Sequence, residues 1–373
     1  MKNKILTLLA ILLAFLAGVE LTIIFSNKDG KEQKPKNGEE KSTTYNSCSN
    51  CMSGTMVIEN SGISETVKKV YDAVVMVKSY KKNTLIGSGS GFVYKTDNNY
   101  GYVMTNQHVI DGAQKVNIKF TSEEEVEGEL LGGDKYIDIA VVRVPIENVI
   151  AVAKIGNTEK LQLGETIIAI GTPVGEEYYN TVTGGHISGL NRKVTVSIDS
   201  KNDWVQDVLQ IDASINPGNS GGALVNFNGE IIGVTSLKLV NDSVEGMGFA
   251  IKIEDAMKHI DDIENGRKIE RPFLGIKHVN VTDTYLLMRY NIEIDSSIED
   301  GIAIVSVVEG SSADKAGLKK GDIIIEIDDA KVPNIAYLRY LLYQHNVGDT
   351  MKVKFLRGKE EKTTTITLSQ AVE

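Results

Sequence analysis

The sequence predicts a mainly β chain. An all-β barrel or sandwich pair is expected over Gly62 to Asn265, followed by a small α+β domain, all behind an N-terminal transmembrane helix. Three observations carry this. Short apolar runs alternate with Gly, Asn and Asp turns from Gly62 to Asn265. Near Pro272 the pattern changes to strands interspersed with helical segments. Ile5 to Phe25 is an apolar run of membrane length, broken only by Thr7, Gly18, Glu20 and Thr22. The 373 residues leave room for two or three domains. Hydrophobic residues make up 42% and charged residues 24%, which excludes a collagen, a wholly disordered chain and a multi-span membrane protein. A net charge of −10 argues against nucleic acid held through its phosphates.

Residues 1–25 read as a signal anchor. Lys2 and Lys4 precede the apolar run and should stay in the cytoplasm, which puts the rest of the chain outside. The alternative is a cleaved signal peptide with Ile5–Ala17 as its apolar region. A small-x-small cleavage site is missing, because Phe15 and Leu16 stand two before Ala17 and Gly18. Residues 26–62 are polar, of mixed charge and poor in large apolar side chains, as expected of a flexible tether. Cys48 and Cys51, the chain's two cysteines, sit inside it. With no second pair and no nearby His, they are expected to form a local disulfide or nothing, rather than a redox or metal site.

The next block, 63–266, supplies the β-domain. Its apolar runs include Ala73–Tyr80, Gly91–Tyr94, Tyr102–Met104, Val116–Phe120, Ile137–Val144, Thr166–Ile170, Val208–Ile211, Ala223–Val225, Glu230–Ser236 and Gly248–Ile251. Helical signals lie only at its edges, Ser64–Tyr71 and Glu254–Ile263. The last block, 272–369, carries strands at Ile302–Val307, Asp322–Ile327 and Met351–Leu356. Helices are expected near Ala313–Ala316 and over Ile335–Gln344.

Asn216-Pro-Gly-Asn-Ser-Gly-Gly222 is the sharpest chemical feature. A nucleophilic serine needs a backbone that turns tightly around it, and glycine allows backbone N–H groups to face a carbonyl oxygen. Gly218 and Ser220 could supply those N–H groups; a plain turn is the alternative. Ser220 would need a general base. Of the five histidines, His108 follows the end of the strand Tyr102–Met104, which fixes its direction. His186, in a Gly-rich loop expected over Thr183–Gly189, is its competitor. His259 reads as a helix-surface residue, and His278 and His345 belong to the other block. A third member must orient the imidazole, and Asp138 is the carboxylate embedded in an apolar strand. A buried Asp requires a partner. The order His108, Asp138, Ser220 is one of the known triad orders. The Gly87–Gly91 run leads into a strand rather than a helix, which speaks against a phosphate loop. No metal constellation appears, the Glu123–Glu125 run reads as a solvated loop, and no cofactor is expected.

These motifs resemble the HtrA (DegP/DegS-type) family of trypsin-like serine proteases. The resemblance rests on Thr105-Asn-Gln-His-Val109, Asp138-Ile-Ala140 and Gly218-Asn-Ser-Gly-Gly222, with Ser88–Val93 and Gly248–Ile251 as strand motifs. Phe273-Leu-Gly-Ile276 and Gly310–Ile323 resemble the family's PDZ domain. The resemblance covers about residues 63–369. It implies a chymotrypsin-like double β-barrel followed by an α+β PDZ domain, with the anchor and single PDZ of the membrane-anchored members. It also implies roles. Ser220 is the nucleophile, His108 the base and Asp138 the orienting carboxylate. Gly218, Asn219 and Ser220 form the oxyanion hole, and Ile215, Ser236 and Leu237 wall a pocket for small or medium aliphatic side chains. Phe273, Leu274, Gly275 and Ile276 are the loop that captures a peptide carboxylate, and Arg192 is a regulatory loop residue. His186 stands where an aliphatic residue is usual. The expected partners are unfolded or misfolded exported proteins, C-terminal peptides and the membrane, in a homotrimer. A sensor protease that cuts one membrane-bound regulator is an alternative; a non-catalytic chaperone or scaffold is a third reading.

Overall fold

A computed structural model describes residues 61–172, 176–199, 202–236 and 246–370. The expected anchor, nearly all of the tether, and Cys48 and Cys51 lie outside these residues. Among the described residues no helix is long and apolar enough to cross a membrane.

A helix, Ser61–Val70, opens two residues before the expected start of the first domain and leads into a closed six-stranded antiparallel barrel. Its strands are β1 (Val74–Lys81), β2 (Thr84–Thr96), β3 (Tyr100–Thr105), β4 (Lys115–Lys119), β5 (Glu125–Asp134) and β6 (Ile139–Pro145), in the order β1-β2-β3-β6-β5-β4. A second sheet holds β7 (Lys154–Ile155), β8 (Thr166–Gly171), β9 (Thr181–Asp199), β10 (Asn202–Ile211), β11 (Ala223–Asn226), β12 (Glu230–Thr235) and β13 (Gly248–Lys252). Its order is β11-β8-β9-β10-β13-β12-β7, and the extra pairing of β11 with β12 closes it into a second barrel.

The apolar runs are continuous because these strands are buried on both faces. Along β6, Ala140 and Val142 point into the first barrel's own core, while Ile139 and Val141 join the core shared by the two barrels. Along β8, Ile167 and Ala169 fill the second barrel, while Ile168 and Ile170 face the shared core. Alternation of period two, with both faces apolar, is the signature of such strands.

The C-terminal domain is a sheet of β14 (Ile276–Asn280), β15 (Ile302–Val307), β16 (Ile323–Ile327), β17 (Ala330–Lys331), β18 (Thr350–Arg357) and β19 (Glu360–Thr367). The order is β14-β15-β16-β18-β19, with β17 on β16. Its helices are capped by the side chains that flank them. Ser311 accepts from Asp314 N ahead of Ser312–Lys315, and Asn334 accepts from Tyr337 N ahead of Ile335–Leu342.

Four expectations change. Asp138 is not within a strand; it ends the turn between β5 and β6, with φ +58°. Glu125 does not belong to a solvated loop; it opens β5 and pairs with Lys78. The helix expected over Glu254–Ile263 is two short helices, Ile253–Met257 and Ile260–Glu264, interrupted at Lys258 and His259. The long strand β9 stood hidden behind its glycines. At Gly185 a Cβ would lie 2.3 Å from Asp212 Oδ1, so glycine there serves close approach rather than a turn.

Candidate active site

The strand β3 delivers the chain to Asn106 and a one-turn helix, Gln107–Ile110, which carries His108. The turn before β6 delivers Asp138 opposite it. Asp138 Oδ1 accepts the His108 backbone N–H at 2.9 Å, and Oδ2 meets His108 Nδ1 at 2.7 Å. With Nδ1 donating to the carboxylate, the imidazole is left with Nε2 as its acceptor. The carboxylate is almost fully buried, and a third donor, Ser236 Oγ, reaches Oδ2 at 3.4 Å. The Asp138 carbonyl is held as well, by Asn106 Nδ2 at 2.8 Å and Gln107 N at 3.1 Å. Five donors therefore fix a residue whose left-handed backbone is unfavourable for any side chain but is tolerated best by Asn and Asp.

Ser220 lies in the turn before β11 and is buried. Ser90 of β2 ties that turn to the first barrel. Its N–H donates to the Ser220 carbonyl at 2.8 Å, and its hydroxyl donates to the Gly218 carbonyl at 2.7 Å while accepting Thr172 N. Thr105 Oγ1 in turn donates to the Ser90 carbonyl. A Cβ on Gly221 would stand 3.0 Å from Asn106 N, so the serine's turn abuts the segment that carries His108. Gly89 is equally cramped. A Cβ there would meet Val109 and the Ser220 carbonyl, so the glycines of 87–91 let strands approach the site rather than cradle a phosphate.

Gly218 has φ +102°, which a side chain would strain. The Asn219 carbonyl accepts both Thr235 Oγ1 at 2.6 Å and Gly222 N at 2.9 Å. In a trans peptide the following N–H points the opposite way. The Ser220 N–H is therefore directed away from those two donors, as an oxyanion donor must be.

Other expected residues are placed as follows. Ile215 packs on the core of the second barrel, against Gly248. Ser236 is fully buried and bonded to Asp138, a contact that sequence reasoning missed. Leu237 lies outside the described residues. Arg192 is not in a loop as expected; it is on β9, paired with β10, where its Nε donates to Gln210 Oε1 at 2.9 Å. In the C-terminal domain Phe273 bridges to Ser369. The carbonyls of Leu274 and Gly275 accept Ala313 N and Val308 N, which turns the N–H groups of Gly275 and Ile276 the other way. His186 does not join Asp138; it pairs with Asp212. Asn106 and Ser90 were also missed. Both are small polar residues among glycines or other polar residues, Ser90 between Gly89 and Gly91 and Asn106 between Thr105 and Gln107, so nothing local marks them out. Among the described residues no group of three or more His, Cys, Asp or Glu could hold a metal ion.

The comparisons agree with this geometry. Residues 89–234 match the trypsin-like peptidase domain family and residues 272–368 match the PDZ domain family. The serine protease Do-like HtrA of Lactococcus lactis subsp. cremoris is 34% identical over 354 residues, covering 87% of each chain. The serine endoprotease of Yersinia pestis superposes with a TM-score of 0.60 at 29% identity, over 83% of this chain and 98% of that one. The HtrA-type protease AlgW, solved with a tripeptide, gives a TM-score of 0.60 at 26% identity, over 83% and 97% of the two chains.

Proposed function

The chain belongs to the HtrA family of serine proteases, a serine endopeptidase with a PDZ domain, and we propose that it degrades misfolded or unfolded exported proteins outside the cytoplasm. The observation that carries the reading is the grip of Asp138 on His108, which fixes both ring direction and tautomer beside the turn that bears Ser220.

In the proposed mechanism Ser220 Oγ attacks the scissile carbonyl and gives its proton to His108 Nε2. The imidazolium that forms is stabilised by Asp138 at Nδ1. The N–H groups of Gly218 and Ser220 receive the oxyanion, with Asn219 between them. His108 then protonates the leaving amine, and water hydrolyses the acyl-enzyme by the reverse sequence. Ile215, Ser236 and Leu237 wall the pocket for an aliphatic side chain, and Arg192 relays signals from the PDZ domain to the active-site loops. Segment 1–25 anchors the chain in the membrane, 26–62 tethers it, and the protease (63–266) and PDZ (272–369) domains assemble as a homotrimer. A peptide C-terminus enters at Phe273–Ile276, its carboxylate on the outward N–H groups of Gly275 and Ile276, its chain adding to the edge strand β14.

Cleavage of β-casein by the full-length chain, with Ser220→Ala as control, tests the reading. Loss of cleavage in the variant is expected; equal cleavage would reject it. Release by C-terminal peptides of cleavage at one membrane-bound target, with casein untouched, would favour the sensor-protease reading instead.

A further inference from the structure

The turn that ends in Asp138 is held partly from the other domain. It runs from Asp134, the last residue of β5, through Tyr136 to the strained Asp138. Within the protease domain Asp134 Oδ1 accepts Tyr136 N at 2.9 Å, and Gln206 Nε2 donates to the Ile137 carbonyl at 3.0 Å. The half-buried Tyr136 ring packs against aromatic side chains of both domains. Trp204 of β10 meets it edge-on at 5.2 Å between centroids, and Tyr343 meets it edge-on at 5.6 Å. Tyr343 stands just beyond the helix Ile335–Leu342 of the C-terminal domain, and its ring also touches Trp204 at 5.3 Å. Arg271, in the segment between the domains, lies over the rings of Tyr136 at 4.6 Å and Tyr343 at 5.4 Å. Its Nη2 pairs with Asp134 Oδ2, and that carboxylate is only 2% exposed. A buried carboxylate left without its cation would have to be solvated or neutralised, so Arg271 fixes the start of the turn as the rings fix its middle.

We propose that Tyr343, with Arg271, is a positioning residue for the catalytic aspartate, so that the PDZ domain completes the support of the triad. The proposal rests on reading Ser220, His108 and Asp138 as that triad. Tyr343 touches no reacting atom. It acts on Tyr136, two residues from Asp138, and through that turn on the angle at which Asp138 presents its oxygens to His108. Aromatic edge-to-face contact and a guanidinium stacked on the same rings give the arrangement one preferred geometry. The Tyr343 hydroxyl also has a side-chain hydrogen-bond contact with Tyr136, beside the edge-to-face ring contact that holds the turn.

The test measures kcat and KM on one peptide substrate, and the rate of Ser220 labelling by a fluorophosphonate, in full-length variants of matched thermal stability. Tyr343→Ala is expected to lower kcat and labelling about tenfold while KM stays within about twofold, because ground-state binding is untouched. Tyr343→Phe should restore both to within about twofold of the parent. Tyr340→Ala is the control for domain packing. Tyr340 lies on the helix that Tyr343 follows and faces Lys193 and Asp207, not Tyr136, and its loss should leave kcat unchanged. Equal kcat in Tyr343→Ala and the parent overturns the proposal, as does an equal fall in Tyr340→Ala and Tyr343→Ala. Ser220→Ala run alongside separates the two levels: if it still cleaves, the triad reading fails, whatever the Tyr343 variants do.

Discussion

Asp212 grips His186 at the same two points at which Asp138 grips His108. In each pair one carboxylate oxygen accepts the histidine's backbone N–H, at 2.5 Å for His186 and 2.9 Å for His108. The other oxygen meets Nδ1, at 3.3 Å and 2.7 Å. The difference lies in the surroundings. The Asp138 side chain is 5% exposed and the Asp212 side chain 46%. The His186 N–H, and then its ring, hold the Asp212 carboxyl below the usual carboxylate range. In water such a pair gains little, whereas a buried carboxylate with three donors fixes one geometry.

The two histidines should therefore separate sharply under mutation. His108→Ala is expected to lower kcat/KM by about 10⁴-fold. His186→Ala should leave it within about threefold, since an exposed pair is worth little. Initial rates on one peptide substrate check both. A large loss at His186 would mean that this part of β9, and not only the buried pair, sets the chemistry.

Ser236 was expected to line a specificity pocket and also bonds to Asp138 Oδ2 at 3.4 Å. Ser236→Ala removes one of three donors to that carboxylate. The bond is long, so a fall in kcat of about five- to tenfold is expected, with KM within about twofold. A rise in KM at constant kcat would place Ser236 in substrate binding alone.

Gly221 has φ +83°, and a Cβ there would stand 2.1 Å from the Ser90 carbonyl oxygen and 2.5 Å from Thr105 Oγ1. Gly221→Ala should cost at least about 2 kcal/mol of stability and displace the serine's turn. Urea unfolding and fluorophosphonate labelling should both show it. Unchanged labelling would mean that the turn absorbs the methyl group without moving Ser220.

His278, on β14, bears on stability against pH. Burial, then the charge of Arg339, push its imidazole down to about 4. Between pH ~6.5 and 4 the unfolded chain binds a proton at this residue that the folded chain does not. Stability is therefore lost as pH falls through that window and levels off below it. His278→Gln should flatten the acid limb of stability against pH by up to one proton's slope, about 1.4 kcal/mol per pH unit. Parallel curves for variant and parent would show that His278 is protonated in the fold.

The sequence pattern located most strands because burial on both faces makes them unbroken apolar runs, as at Ile139–Val142 and Ile167–Ile170. Besides β7, β14, β17 and β19, it missed β5, where charged residues alternate outward, and β9, where Gly184, Gly185 and Gly189 resemble turn residues. His108, Asp138 and Ser220 were legible because a nucleophile, a base and a carboxylate must appear as particular residue types in a short context. Their supports were not. Ser90 lies 130 positions before Ser220, and Tyr343 lies 207 after Tyr136. Only the folded sheet brings such partners together, and the residue types involved, a serine in a strand and a tyrosine after a helix, are common.

Mapping a fluorophosphonate adduct by mass spectrometry shows whether Ser220 is a nucleophile activated by His108 and Asp138. One adduct on Ser220 is expected in the parent chain, with none above background in His108→Ala. An adduct on another serine, or labelling of Ser220 that persists unchanged without His108, would mean that these three residues are not a catalytic triad.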